Sequence, residues 1–266
     1  MMSKATVRGK AVIAGAPIAW IALFGALTGF TSLIPVVFYI FGGGYVSLGM
    51  VVFAPLSGLL LGPYAGFIAA LIGGLIGMFL APAAFPLGII DVFLCSALLG
   101  LCWGWAACGN RKECVVAFTA WWIAWLIIAN IYPYIWPGPA AGYTPAVEPQ
   151  YALSWYYSYV GFILYLIIGR TKVHEWTKSP RRSVQLLGFF LLCYIAWSCW
   201  QVPWKVPYIA ILYYPNWMII ADNFLGLAVY GVPMLVIETV ISALIVTGLR
   251  KSKMLVVPRS CVGEIE

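Results

Sequence analysis

Charge is what this chain of 266 residues has least of: 9% of its side chains carry it, with 8 Asp and Glu and a single His. That one imidazole, His174, excludes both an H-E-x-x-H zinc motif and a Ser–His catalytic arrangement. No G-x-x-x-x-G-K-[ST] loop occurs, so the chain has no phosphate loop with which to hydrolyse ATP itself. No apolar stretch places two carboxylates at the close spacing that acid–base work needs. Neither an enzyme nor a cofactor is expected. The 7 cysteines offer no metal site either, since Cys108 and Cys114 are too few for one. Cys95, Cys102, Cys193 and Cys199 fall in apolar stretches, where they read as small buried hydrophobes rather than a disulfide framework.

What fills the chain instead is apolar: 64% hydrophobic residues and a mean hydropathy of +0.97, far above a soluble domain. The apolar runs do not alternate with polar residues, which excludes an outer-membrane barrel and leaves helices. The expected fold is all-α, a single polytopic transmembrane domain over residues 1–266. Eight spans can be drawn, at roughly 11–30, 33–54, 58–81, 88–108, 114–136, 153–170, 183–203 and 219–249. The first continues past residue 30 without a cleavage site, so it reads as a membrane helix rather than a signal peptide.

The few cations are distributed on one side of these spans. Lys4, Arg8 and Lys10 precede the first, Arg111 and Lys112 follow the fourth, Arg170 through Arg182 follow the sixth, and Arg250 through Arg259 follow the eighth. An excess of Lys and Arg marks cytoplasmic loops, so both termini are expected inside, in a cell-membrane protein. The net charge of +7 is accounted for by this pattern and by anionic lipid headgroups, and nucleic acid is not an expected partner.

The opposite side is aromatic. Residues 137–152 are Pro-rich, and residues 203–217 hold Trp204, Tyr208, Tyr213, Tyr214 and Trp217. An interfacial belt explains part of this, and an aromatic-lined cavity opening outward explains the contrast with the basic side. Gly42, Gly43 and Gly44 interrupt the second span, and helix breaks at membrane depth mark binding sites in transporters. Gly62, Gly66, Gly73 and Gly77 give small-xxx-small spacings that bring helices close.

Polar groups at membrane depth are costly and are therefore functional candidates. Asp91, Asn130, Gln201, Lys205, Asp222, Asn223 and Glu148 are all expected on the outer half, with Trp136, Trp155, Trp200 and Trp204. A polar and aromatic substrate pocket follows, although Asp91 and Asp222 also suit helix starts, where the dipole stabilises them. Glu238 lies deeper, within Val-Ile-Glu-Thr-Val-Ile, as a proton-coupling group or a buried structural link.

The stretch Ile34 to Gly49, then Ala54-Pro55-Leu56-Ser57-Gly58-Leu59-Leu60-Leu61-Gly62-Pro63-Tyr64-Ala65-Gly66, and Pro86-Leu87-Gly88 leading to Asp91 and Gly100, resembles the substrate-binding S component of energy-coupling factor vitamin transporters. The resemblance covers about 40% of the chain and implies capture of a vitamin-like molecule from outside. It also implies partners: a transmembrane coupling subunit, docked through Ala11, Gly15 and Ala19 on the first helix, and ATPase subunits that supply energy. The expected function is thus a transporter's substrate-binding subunit, with Asp91, Asn130, Asp222, Asn223 and aromatics holding a neutral or cationic small-molecule ligand. Two other classes stay open: a structural subunit of a larger membrane complex, and a stand-alone carrier coupled to protons through Glu238.

Overall fold

The chain begins its regular structure with a turn where a helix is expected. The computed structural model describes residues 11–39, 43–108, 111–135, 149–212 and 216–252. Strands β1 (Val12–Ile13) and β2 (Ala16–Pro17) pair antiparallel around Ala14 and Gly15, whose φ angles of 51° and 89° suit a tight two-residue hairpin. Pro17 holds the extended conformation just before helix α1 (Ile18–Thr31). The expected first span therefore loses residues 11–17. Ala11 and Gly15 do not share a helical face with Ala19, so the three-residue docking stripe is not formed.

A second correction follows at residues 33–54. Strands β3 (Pro35–Phe38) and β4 (Tyr45–Ser47) form an antiparallel hairpin, with Gly43 and Gly44 in its connection. Gly43 and Gly44 thus lie in a strand connection rather than within a helix, and Gly42 lies outside the described residues. Helical structure resumes as a π-helical turn (Gly49–Phe53) running into α2 (Ala54–Leu61). Gly62, at φ 85°, then reverses the chain into α3 (Pro63–Leu80), splitting the expected third span at its start.

The rest is helical. Helix α4 (Ile89–Val92), a π turn (Phe93–Ala97) and α5 (Leu98–Ala107) run on as one rod. Helix α6 (Lys112–Ile135) follows, then α7 (Pro149–Ser154) and α8 (Tyr156–Leu164) with a π turn at Tyr165–Gly169. The short α9 (Lys172–Thr177) leads to α10 (Arg182–Leu212), which contains Pro203 and Pro207. Helix α11 (Asn216–Gly226), a π turn (Leu227–Gly231) and α12 (Val232–Lys251) close the order.

Five helical stretches are long and apolar enough to cross a bilayer: Pro63–Leu80, Ile89–Ala107, Lys112–Ile131, Arg182–Tyr208 and Met218–Lys251. Ile18–Thr31, Gly49–Leu61 and Tyr156–Gly169 are apolar but shorter. The surface has the inverse polarity of a water-soluble protein. Phe79 is 80% exposed and Ile167 69%, whereas Asp91 and Asn223 are wholly buried. An apolar exterior around a polar interior suits lipid as solvent, and the chain is an integral membrane protein.

Helices meet where glycine lets backbones touch. A Cβ on Gly58 of α2 would lie 2.1 Å from the Gly100 carbonyl oxygen of α5, and one on Gly66 of α3 2.5 Å from the Gly58 Cα. Gly73 of α3 lies against the side chain of Thr28 and the Gly25 carbonyl of α1, which a Cβ there would meet at 2.4 and 2.8 Å. The small-xxx-small spacings are therefore contact faces. Side-chain pairs between α4–α5 and α10 fix their direction: Asp91 reaches Tyr208, Leu94 reaches Trp200, and both Trp103 and Cys193 face Glu238. The two rods are antiparallel, so the turn before Arg111 and the Lys172–Arg182 segment lie at one end of the bundle. Arg250 joins them there, its Nη1 donating to the Thr177 carbonyl at 2.7 Å.

Candidate functional site

Helix α10 carries two adjoining rows of side chains at the end away from the basic loops. Trp200, Trp204 and Tyr208 follow each other at intervals of four, one row on one face; Trp197, Gln201 and Lys205 form the next. The first row faces α4. The Trp200 and Trp204 rings stack at 4.9 Å and 7°, and Tyr39, from the end of β3, packs at 5.9 Å from Trp204 and 6.3 Å from Tyr208. The Trp200 indole donates to the Leu94 carbonyl at 2.5 Å, an acceptor within the π turn at Phe93–Ala97. Helical turns of this kind interrupt the regular ladder and occur often at functional sites.

Asp91 lies against that row, fully buried. Its Oδ2 accepts the Leu87 backbone N–H at 2.6 Å and the Tyr208 hydroxyl at 3.5 Å, and its Oδ1 accepts the Cys95 thiol at 3.4 Å. Reaching back to Leu87 from the first turn of α4, the carboxylate does stabilise a helix start. Among the described residues it has no cationic partner.

The second row faces α8 and α11. Lys205 Nζ lies 2.7 Å from Asp222 Oδ2 and donates to Asn223 Oδ1 at 2.9 Å. Tyr157 and Tyr230 each present a ring 5.6 Å from the ammonium, and the Tyr230 hydroxyl donates to Asp222. Tyr157 donates to Asn223 Oδ1 at 3.2 Å, and Asn223 Nδ2 donates to Ser154 at 2.9 Å. Asp222 thus sits inside α11 as an ion-pair partner, not at its start. Trp155 is wholly buried, edge-on to Tyr151 at 6.3 Å and tilted against Tyr157 at 6.2 Å.

Gln201 stands in the same row as Lys205, wholly buried, and neither its Oε1 nor its Nε2 has a hydrogen-bond partner. The Tyr39 hydroxyl is likewise buried and unpartnered. Such groups are costly to bury unpaired, so donor and acceptor capacity remains here for a bound molecule.

Other candidates fall elsewhere. Asn130 is not brought to this region: its amide donates to Leu126 at 2.8 Å and accepts from Tyr159 at 3.0 Å, beside the apolar stripe of Ile123, Ile127 and Ile131 on the same helix. Glu238 lies deeper, 2% exposed, facing Cys193 of α10 and Trp103 of α5, with Oε1 unpartnered. Trp136 and Glu148 lie outside the described residues. The six described cysteines are buried.

Sequence reasoning missed Tyr39, Ser154 and Tyr230, and read Tyr157 only as part of the apolar run. Tyr208 carried a usable signal, standing four residues after Trp204. Tyr230 carried none, because its approach to Asp222 depends on the π turn at Leu227–Gly231.

The architecture defines a class: an integral membrane protein with a buried polar and aromatic cluster between its helices. No family model, curated protein or solved structure matches the chain.

Proposed function

We propose that the chain is the substrate-binding membrane subunit of a transporter, taking a small, flat, neutral or cationic molecule at the aromatic end of α10. The observation that carries this reading is the conjunction along that helix of stacked indoles, an uncompensated carboxylate at Asp91 and an unpartnered amide at Gln201. Indole faces bind a planar or cationic ring, at about 0.5–2 kcal/mol for a cation. The Lys205–Asp222 pair is internally neutral, so Asp91 sets the sign of the region. In this reading the basic loops face the cytoplasm, the three shorter apolar helices complete about eight crossings, and coupling and ATPase subunits of the energy-coupling factor kind supply energy.

One observation favours a second reading, a structural subunit of a larger membrane complex. Lys205, Asp222, Asn223, Tyr157 and Ser154 satisfy one another as a finished network needing no ligand.

The discriminating experiment is mass spectrometry of small molecules released from the full chain purified in mild detergent, for the parent and for Asp91→Asn and Trp204→Leu. The transporter reading expects a released heterocycle whose occupancy falls about tenfold in both variants, a loss of about 1.4 kcal/mol each. Absence of any such molecule, together with a stable assembly lacking ATPase subunits, supports the structural reading instead.

A further inference from the structure

Independently of the substrate reading, and needing only that the chain lies in a membrane, we infer that a cleft at the basic end, between the start of α10 and the end of α12, seats an anionic phospholipid. The cleft measures about 670 Å³. One wall is a single stripe of α12: Val240, Leu244, Gly248 and Lys251. The other begins at Arg182 and descends to Leu186 of α10. Polarity is therefore graded along its length. Val240 and Leu244 are 45% and 59% exposed at the deep end, and cations stand at the shallow end, about 16 Å away at the helical rise of 1.5 Å per residue.

That gradient distinguishes a lipid from a soluble anion. Phosphate alone would use Arg182 and Lys251 and leave the apolar trough bare, whereas an acyl chain fills the trough while its headgroup meets the cations. Neither cation has an acidic partner among the described residues. The Thr247 hydroxyl, also in the lining, is buried without a hydrogen-bond partner and can donate to a phosphate or glycerol oxygen. Gly248 keeps the cleft open, for a Cβ there would meet nothing within 4 Å. Basic pockets between membrane helices are the established chemistry of such headgroup recognition.

The test uses the full chain in mixed micelles holding phosphatidylglycerol or phosphatidylcholine, with bound lipid counted by native mass spectrometry. Phosphatidylglycerol is expected to be retained in preference. Arg182→Gln with Lys251→Gln should weaken its retention about 30-fold, at roughly fivefold per cation. Gly248→Leu keeps both charges and fills the trough; it should lose the lipid with no fall in the unfolding temperature measured in phosphatidylcholine. Equal retention of the two lipids, or undiminished retention in Gly248→Leu, would overturn the proposal. Displacement by excess inorganic phosphate would make this a free-anion site, and a dimer abolished by Gly248→Leu would make it an interface between copies; either result also overturns it.

Discussion

Removing Asp222 alone from the Lys205–Asp222 pair should cost more than removing both members, and the two single losses should not add. At 2.7 Å and an effective dielectric of about 20, their gross attraction is about 6 kcal/mol. Burying two ions offsets much of that, so the intact pair contributes little net, but a stranded partner is costly at about 3–5 kcal/mol. The two strandings differ. Asp222→Asn leaves an ammonium whose side chain is 7% exposed, with only Asn223 and the faces of Tyr157 and Tyr230 beside it. Lys205→Met leaves a carboxylate that is 25% exposed and still bonded to the Tyr230 hydroxyl. Asp222→Asn is therefore expected to destabilise by about 3–4 kcal/mol and Lys205→Met by about 2, at the low end because that charge can reach polar surroundings. The double variant should lose only about 2, giving a coupling of about 3–4 kcal/mol. Equilibrium unfolding of the full chain in mixed micelles measures all three. Additive losses, with coupling under about 0.5 kcal/mol, would show that the ion pair does not organise this end of the bundle.

Two further outcomes follow from other parts of the fold. Gly58→Val should destabilise by about 3 kcal/mol or more, because the new Cβ meets backbone of α5 that cannot turn aside, whereas Gly248→Ala should leave the unfolding temperature unchanged or higher; equal effects would refute the close-contact account. His174, in the α9 segment outside the spans, has its pKa lowered to about 4 from 6.5 by burial and then by Lys178 nearby. Its neutral form is favoured in the folded state, so the unfolded chain binds the extra proton between those values. Stability is expected to fall by about 2–3 kcal/mol as pH drops from about 6.5 to about 4, and His174→Gln should flatten that portion of the profile in thermal unfolding.

How much of this was legible depends on the scale of the signal. Apolar runs and clustered cations are long-range patterns, and they located the long helices and put Arg111, the Lys172–Arg182 segment and Arg250 at one end. The hairpins at Val12–Pro17 and Pro35–Ser47 were not legible as such, because apolar residues satisfy a strand of two to four residues as readily as a helix. Pro17, Pro35 and the glycines after Ile40 were the available punctuation, and hydropathy outweighed them. For the candidate site, cost at membrane depth picked out Asp91, Gln201, Lys205, Asp222 and Asn223, which the fold gathers at one end of α10. It did not separate Asn130, since a polar residue can be satisfied within its own helix and by one neighbour. Partners such as Tyr157, Tyr230 and Tyr39 depend on register between helices, which no single-helix pattern contains.

The two prolines of α10 explain why both rows meet at one level. Pro203 and Pro207 lack N–H donors, so the carbonyls of Cys199 and Pro203 lose their ordinary intrahelical partners beside Trp200, Trp204 and Lys205. A helix is weakest and most easily bent where successive bonds of its ladder are missing. The same level is met by the π turn at Phe93–Ala97, and the π turn at Leu227–Gly231 brings Tyr230 to Asp222 beside Lys205. Three helices thus depart from regular geometry around the residues that carry the buried charges. Two of the four described π turns lie beside these residues; the other two, Gly49–Phe53 and Tyr165–Gly169, contain no charged residue, so the irregularity is shared with apolar parts of the bundle.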